Sequence, residues 1–516
     1  CFHSLTTALC CYKGASLKGF QGVGKTETLK DLSRLLGNYA LVINCSQNLD
    51  HISLIRMISG IAQIGAWGCF EEFSCIKIEI LSVLSQEINS ILNALSSKRY
   101  FFPFWGMDTP VQENCGLFLT INPVSYYHGY NLPPLLSDLF RPVSMISPDI
   151  EAIIQINLFA LGFKEPKILA ADIYLMYKMI AEQLSKKDYY SFDLRSVCKF
   201  LKVLRNQKRN YENFPDHEVI AASLRNSSMS ELHADDVPIF EDILENILSG
   251  VKEIKKDLSV ITNAVKNILS KKSLQLTHAT LSKIIQFFEQ LQFHHAIIIL
   301  GESGCGKTTT WETLKEVFDH LQSQNVENFS SVHTYLLNPK AFSNKELFGH
   351  FKAAGVWQNG LFPTVLKEAN RNEKIREKWI ILDGPIDDKW VGNIHALLDS
   401  SKVLTVSNGE RILLLPEVSV IFETTDIIHC SPSVISRCGI VYHGTATVSC
   451  NTRICSWLQQ IENDAVRKTM EEVIDVYFEY VIDFSLSNLK SLKLMCSTSP
   501  SYISSFCKIV DAFIKK

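Results

Sequence analysis

Gly19-Phe20-Gln21-Gly22-Val23-Gly24-Lys25-Thr26 decides the fold of this chain. In the pattern G-x4-G-K-[ST], glycine lets backbone N–H groups close around phosphate oxygens. The Lys then reaches the β/γ-phosphates, and the Ser/Thr hydroxyl reaches Mg²⁺. A second copy reads Gly301-Glu302-Ser303-Gly304-Cys305-Gly306-Lys307-Thr308. Each loop opens a helical pattern. The chain is therefore read as binding nucleotide, ATP with Mg²⁺, at two sites.

Outward from the first loop, Thr26–Leu36 is apolar at helical spacing and Gly37 is placed to end the helix in a left-handed conformation. Ala40–Ile43 reads as a buried strand, as do Trp67–Phe70 before Glu71-Glu72 and Leu117–Ile121 before Asn122. Between them Leu81, Leu84, Ile88, Ile91, Leu92 and Leu95 mark a helix. Alternating strands and helices predict a parallel sheet covered on both faces. From about Pro148 to Arg209 the pattern is helical, as expected of a small lid. The order repeats around the second loop: strand Ala296–Leu300, a helix through Leu321, strand Trp379–Leu382 ending in Asp383, strand Val418–Phe422, and a helical tail from near Arg453. Val251, Ile254, Leu258, Ile261, Val265 and Ile268 alternate three and four apart. An amphipathic helix packed on its own domain is expected there rather than a coiled coil, because the run is short.

The bulk numbers fit this reading. The length of 516 residues leaves room for a complete domain around each loop, and 46% hydrophobic residues supply their cores. A net charge of −3 argues against an extended nucleic-acid surface, and no apolar run approaches the roughly 20 residues that span a bilayer. The 15 cysteines are scattered without C-x-x-C pairs, which suits a reducing compartment better than disulfides or zinc. The chain begins at Cys1 rather than Met and is expected to be a fragment or an incomplete gene model.

Hydrolysis needs a carboxylate at a neighbouring strand end to hold Mg²⁺ and a second group beside it to orient water. Glu71 and Glu72 have that adjacency, Glu71 for the metal and Glu72 for water. Asn122 is placed either to hydrogen-bond the γ-phosphate or attacking water, or simply to form a turn. In the second module Asp383 is the candidate metal ligand, and Gly384 stands where an acid would be needed. That site is expected to bind and not to turn over rapidly. A GTPase reading fails at Asn344-Lys345-Glu346-Leu347, which lacks the Asp of N-K-x-D.

These residues resemble the first two ring modules of a dynein heavy chain, the AAA+ microtubule motor. The resemblance is carried by GKTETLKDL at 24–32, NCSQNLD at 44–50, GAWGCFEEF at 65–73, LFRPVSMISPD at 139–149, AEQLSKKDYYSFDLRSV at 181–197 and DDVPIFEDIL at 235–244. It continues through NPKAFSNKELFG at 338–349, KWIILDGPIDDKW at 378–390 and SPSVISRCGIVY at 431–442. The wording at 44–50 and Ile78–Val83 is nearer to axonemal members. The resemblance implies tandem α/β P-loop modules, each with a helical lid: a large domain over 1–147, its lid over 148–232, a helical connector over 233–290, a second large domain over 291–445 and its lid over 446–516. It implies hydrolysis in the first module and binding alone in the second. It makes Arg195 a sensor on the first lid and Arg437 an arginine finger toward the first site.

Further implications are minus-end-directed ciliary movement, location in the cytoplasm and cytoskeleton at an axoneme, and partnership with the remaining ring modules. Intermediate chains, light chains and microtubules would be met through other regions. Neither nucleic acid nor membrane is implied. This chain departs from the family in having Glu71-Glu72-Phe73-Ser74-Cys75 where Asp-Glu-Phe-Asn-Arg is usual. The segment after Asn122 is one residue longer than usual and lacks a Gly-Arg pair. A divergent ring element that binds ATP without producing force is the alternative.

Overall fold

The computed structural model describes residues 1–516 except 21, 46–50, 105–106, 123–131, 212–213, 249, 251–253, 255–257, 327–328, 353–355, 372–375, 400, 445–446, 449, 462, 489–498 and 515–516. Residues 46–50 of the NCSQNLD string and the segment after Asn122 thus lie outside the described residues. So does Val251 of the alternating run.

The first module contains β1 (Gly14–Lys18), β2 (Ala40–Asn44), β3 (Trp67–Glu71), the hairpin β4 (Phe101–Phe104) and β5 (Met107–Pro110), β6 (Gly116–Ile121) and β7 (Phe140–Ser144). Apart from the hairpin these form one parallel sheet in the order β2-β3-β6-β1-β7. Every residue of β6 is buried, which accounts for its largely apolar sequence, Thr120 excepted. The helices Phe2–Cys10 and Lys25–Leu36 cover one face through Leu5, Leu29 and Leu32. On the other face, His51–Ile64 and Ile78–Ser96 bring Leu54, Ile58, Leu84 and Ile88 into the core. Because β1 is flanked by strands later in sequence, the loop after it opens at the carboxyl edge where the winding reverses, the usual place for a ligand.

Helices Ile150–Ala160, Pro166–Gln183, Leu194–Asn210 and Asp216–Ser228 form the lid, and Val237–Ile247 shares their core through Phe240, Ile243 and Leu244. This corrects the connector expected over 233–290. Its first helix belongs to the first lid, whereas Ser259–Lys271 and His278–Phe293 pack on the second module beside Trp311, Val317 and Trp379. The cause is apolar partnership: each stripe is buried against a different core. Ile261, Val265 and Ile268 are accordingly core residues of the second module rather than a coiled-coil seam.

The second module contains β8 (Ala296–Gly301), β9 (Val332–Leu337), the hairpin β10 (Gly349–Phe351) and β11 (Trp357–Asn359), and β12 (Glu377–Asp383). The hairpin β13 (Val403–Thr405) and β14 (Arg411–Leu413) follows, then β15 (Val418–Thr424) and β16 (Gly439–His443). Its parallel sheet runs β9-β12-β15-β8-β16, the order of the first sheet. Helices Cys450–Leu458, Asp464–Asn488 and Ser499–Ile514 follow, with Ile454, Trp457 and Ile503 in a small separate core. Among the described residues no helix is long and apolar enough to cross a membrane.

The first lid is fastened to the second large domain. Tyr189 stacks on Tyr442 with ring centroids 5.5 Å apart, Tyr442 N donates to Ser230 O (2.9 Å), and Lys199 Nζ donates to Cys438 O (2.6 Å). This attachment carries residues 395–437 up to the edge of the first sheet.

Candidate nucleotide site

The first loop has the backbone that its glycines allow. Gly22 and Gly24 have φ of 80° and 85°, a region costly for other residues, and Gly24 caps the following helix. A Cβ on Gly22 would lie 2.8 Å from Asp193 Oδ2, so the lid presses directly on the loop. Gly19 is equally confined, with a Cβ 2.7 Å from Met145 O. Lys25 Nζ donates to Gly19 O (2.6 Å), Phe20 O (2.8 Å) and Asn122 Oδ1 (2.8 Å). Burial and the nearby Arg195 charge bring the Lys25 ammonium down to about 8, against opposing pulls from Glu72 and Glu71. Asn122 therefore has its side chain on the P-loop lysine.

β3 delivers the two acids differently. Glu71 ends the strand and accepts the Thr26 hydroxyl hydrogen. Asn44, with its amide nitrogen toward the carboxylate, also donates to Glu71 Oε2 (2.5 Å). Glu72 leaves the strand in the left-handed region at φ 52°, and its N–H donates to Thr120 Oγ1 (3.3 Å). For a non-glycine residue that conformation costs about 1–3 kcal/mol and persists only where its surroundings enforce it. The Glu72 carboxylate lies 3.3 Å from His395 Nδ1 of the second module. Burial alone would raise its pKa, but His395, Arg437 and Ser433 outweigh that and hold it at about 2.

Between the modules is a cleft of about 280 Å³ lined by Lys25, Glu71, Glu72, Asn122, Arg195 and Arg437. Arg195 follows the helix cap Asp193, which accepts from the N–H groups of Arg195 (3.0 Å) and Ser196 (3.2 Å). Its guanidinium donates to Ser436 Oγ (2.7 Å) across the boundary. Arg437 bonds Asp399 Oδ2 through Nε and Nη2 (both 3.2 Å) and Ser433 O through Nη1 (3.0 Å). Burial and the charge of Arg437 lower the pKa of Arg195. For Arg437, burial is outweighed by Asp399, Glu71 and Glu72. Three cations thus meet three carboxylates around a cavity edged by backbone N–H groups, an arrangement able to receive a polyphosphate. Open space beside Gly24 and the hard oxygens of Thr26 and Glu71 fit a phosphate group with Mg²⁺.

The second loop repeats the geometry at its Gly-Lys-Thr end: Gly304 and Gly306 both have φ 87°, and Lys307 Nζ donates to Gly301 O (2.6 Å) and Glu302 O (2.9 Å). The acid facing its Thr is not the expected one. Thr308 Oγ1 donates to Glu423 Oε1 (2.6 Å) and Trp311 Nε1 to Glu423 Oε2 (2.9 Å). Asp383 is exposed at the end of β12, directly across from Glu423 in register. Glu423 and Thr120 occupy equivalent positions in the two sheets, since Glu423 pairs with Ile299 as Thr120 pairs with Leu17. Sequence reading passed over Glu423, His395 and Asp399. The sole local signal was Glu423 following the apolar run Val418–Phe422.

A family model described as the hydrolytic ATP binding site of the dynein motor region matches residues 1–308, and one for the dynein-related AAA domain matches 296–438. The chain is 37% identical over 515 residues to human dynein axonemal heavy chain 2, covering 99% of this chain and 12% of that protein. It is 33% identical over 518 residues to human dynein axonemal heavy chain 6, again covering 12% of that protein. The Chlamydomonas reinhardtii dynein-1-beta heavy chain of the flagellar inner arm I1 complex is 32% identical over 521 residues.

The chain belongs to the dynein heavy chain family. It comprises AAA+ ATP-binding modules of a dynein motor region and spans about an eighth of the length of these dynein relatives.

Proposed function

We propose that the first module hydrolyses ATP, completed in trans by the second, and that the second holds nucleotide without comparable turnover. The observation that carries this reading is the meeting of Glu72 with Arg437 across the module boundary in one cleft. Lys25 would bind the β/γ-phosphates and Asn122 would steady Lys25. Held near 2, the Glu72 carboxylate stays ionised and orients attacking water more than it captures the proton. A loose phosphoryl-transfer transition state requires little more. Arg437 would oppose charge that grows on the transferring group, and Arg195 would tie lid closure to it. Mg²⁺, when bound, would neutralise phosphate charge, with Thr26 and Glu71 as ligands in the first site and Thr308 with Asp383 or Glu423 in the second.

On this reading the chain contributes ATP hydrolysis to minus-end-directed movement along microtubules, in the cytoskeleton of a ciliary axoneme, as the axonemal names of its relatives suggest. Its partners are the remaining ring modules, with intermediate chains, light chains and microtubules met through other regions. The test is steady-state ATPase of the full-length polypeptide with and without Lys25→Ala. Turnover that survives Lys25→Ala but disappears with Lys307→Ala would reverse the division of labour.

One observation favours a second reading, a ring element that binds ATP without producing force. Glu71, one methylene longer than Asp, already bonds the Thr26 hydroxyl, and Mg²⁺ tolerates little departure from octahedral geometry. ATP binding without turnover would decide for it.

A further inference from the structure

We propose that His395 is a positioning residue for Glu72, so that docking of the second module supplies both the arginine and the orientation of the water-directing carboxylate. This rests on the hydrolytic reading of the first site. His395 begins the short helix His395–Leu398 and is 5% exposed. Its Nδ1 lies 3.3 Å from Glu72 Oε2, while Nε2 has no hydrogen-bond partner among the described residues. The ring's polar contact is therefore directed at Glu72, and a proton on Nδ1 makes the ring the donor.

The next residue repeats the arrangement. The Ala396 N–H donates to Asn44 Oδ1 (2.9 Å), and the Asn44 amide donates to Glu71 Oε2. Consecutive residues of one second-module helix thus hold consecutive acids of one first-module strand end, His395 directly and Ala396 through Asn44. Leu397 and Leu398 anchor that helix in the second module's core, so the ring cannot leave Glu72 unless the modules part. The left-handed backbone of Glu72 fits the same account. Turned off the strand axis, its side chain reaches across the boundary, and the contact with His395 helps to enforce a conformation that is otherwise unfavourable.

The test compares His395→Ala and His395→Asn in the full-length polypeptide, reading kcat and KM for ATP. Asparagine keeps a donor at about the distance of Nδ1 from the backbone. His395→Ala should lower kcat by about tenfold or more, part of the roughly 10²–10⁴ that a positioned acid–base group contributes. KM should move by less than about threefold. His395→Asn should restore most of the rate. Should alanine unfold the chain, seen as loss of ATP binding at both sites, His395→Leu against His395→Asn decides, since only asparagine keeps the donor. Unchanged or increased kcat in His395→Ala, or equal loss with Leu and Asn, overturns the inference and leaves the hydrolytic reading standing. A wild-type protein that binds ATP without turning it over sinks both.

Discussion

Thr308 donates its hydroxyl hydrogen to Glu423 on β15, whereas Thr26 donates its own to Glu71 on β3. The two modules share one strand order, so the carboxylate facing the P-loop has moved by one strand between them. In the second module the Trp311 indole also anchors it, where in the first the Asn44 amide donates to Glu71.

This displacement gives the first prediction. Glu423→Gln should weaken Mg²⁺-dependent nucleotide binding at the second site by about tenfold or more, the cost of a lost charge-assisted hydrogen bond of about 1.5–3 kcal/mol. Asp383→Asn should cost less. Titration of a labelled ATP analogue in a Lys25→Ala background isolates the site. A larger effect from Asp383→Asn would return the metal-side role to β12.

Arg437 carries the second prediction. Asp399 and Ser433 already hold its guanidinium beside Glu72, so little reorganisation is needed when charge develops on the phosphoryl group. Arg437→Ala should lower first-site turnover by at least about two orders of magnitude, within the range of arginine fingers. ATP affinity should change by much less, because the interaction grows in the transition state. Parallel loss of affinity and rate would mean that Arg437 binds the ground state.

The acids at positions 71 and 72 are separable by substitution. Glu72→Gln should abolish steady-state turnover and leave ATP trapped. Glu71→Asp should raise turnover if the extra methylene spoils metal geometry, since it shortens the side chain that now bonds Thr26. Chemical quench of bound ATP reads both outcomes. Turnover unaffected by Glu72→Gln would remove Glu72 from the chemistry.

Local sequence carried the elements whose burial is continuous. β6, β8, β12 and β15 are predominantly apolar because their faces are covered, and the helices after both P-loops follow from glycine chemistry. The helix Phe2–Cys10 was missed, for it begins at the first residues and has no side-chain cap. Val237–Ile247 has a clear apolar stripe, yet periodicity cannot say which of two cores it joins. The site divides along the same line. Gly, Lys and Thr of each loop and the Glu71-Glu72 pair lie within short strings. Glu423 becomes visible only when β15 is known to lie beside β8, and His395 and Asp399 only when the second module is seated on the first. Contacts across strands and modules leave no period in the chain.

The final prediction concerns pH. In the nucleotide-free protein, burial and Arg195 depress the Lys25 pKa to about 8, while Glu72 and Glu71 pull the other way. A phosphate requires the protonated ammonium and, once bound, raises its pKa again, so binding takes up a proton above the free value. The sign follows: affinity at the first site is full below about pH 8 and falls as pH rises through it, by at most about tenfold per unit. Lys307 is lowered in the same direction by burial, but Glu423, Cys305, Asp383 and Glu302 all oppose that shift. The first site should therefore weaken before the second. Analogue titrations from about pH 7 to about pH 9.5, with Lys307→Ala and Lys25→Ala isolating the sites in turn, measure the difference. Lys25→Arg should flatten the first site's profile, since a guanidinium stays charged throughout that range. A flat profile with Lys25 in place, or a slope that persists with arginine, would show that another group controls the pH response.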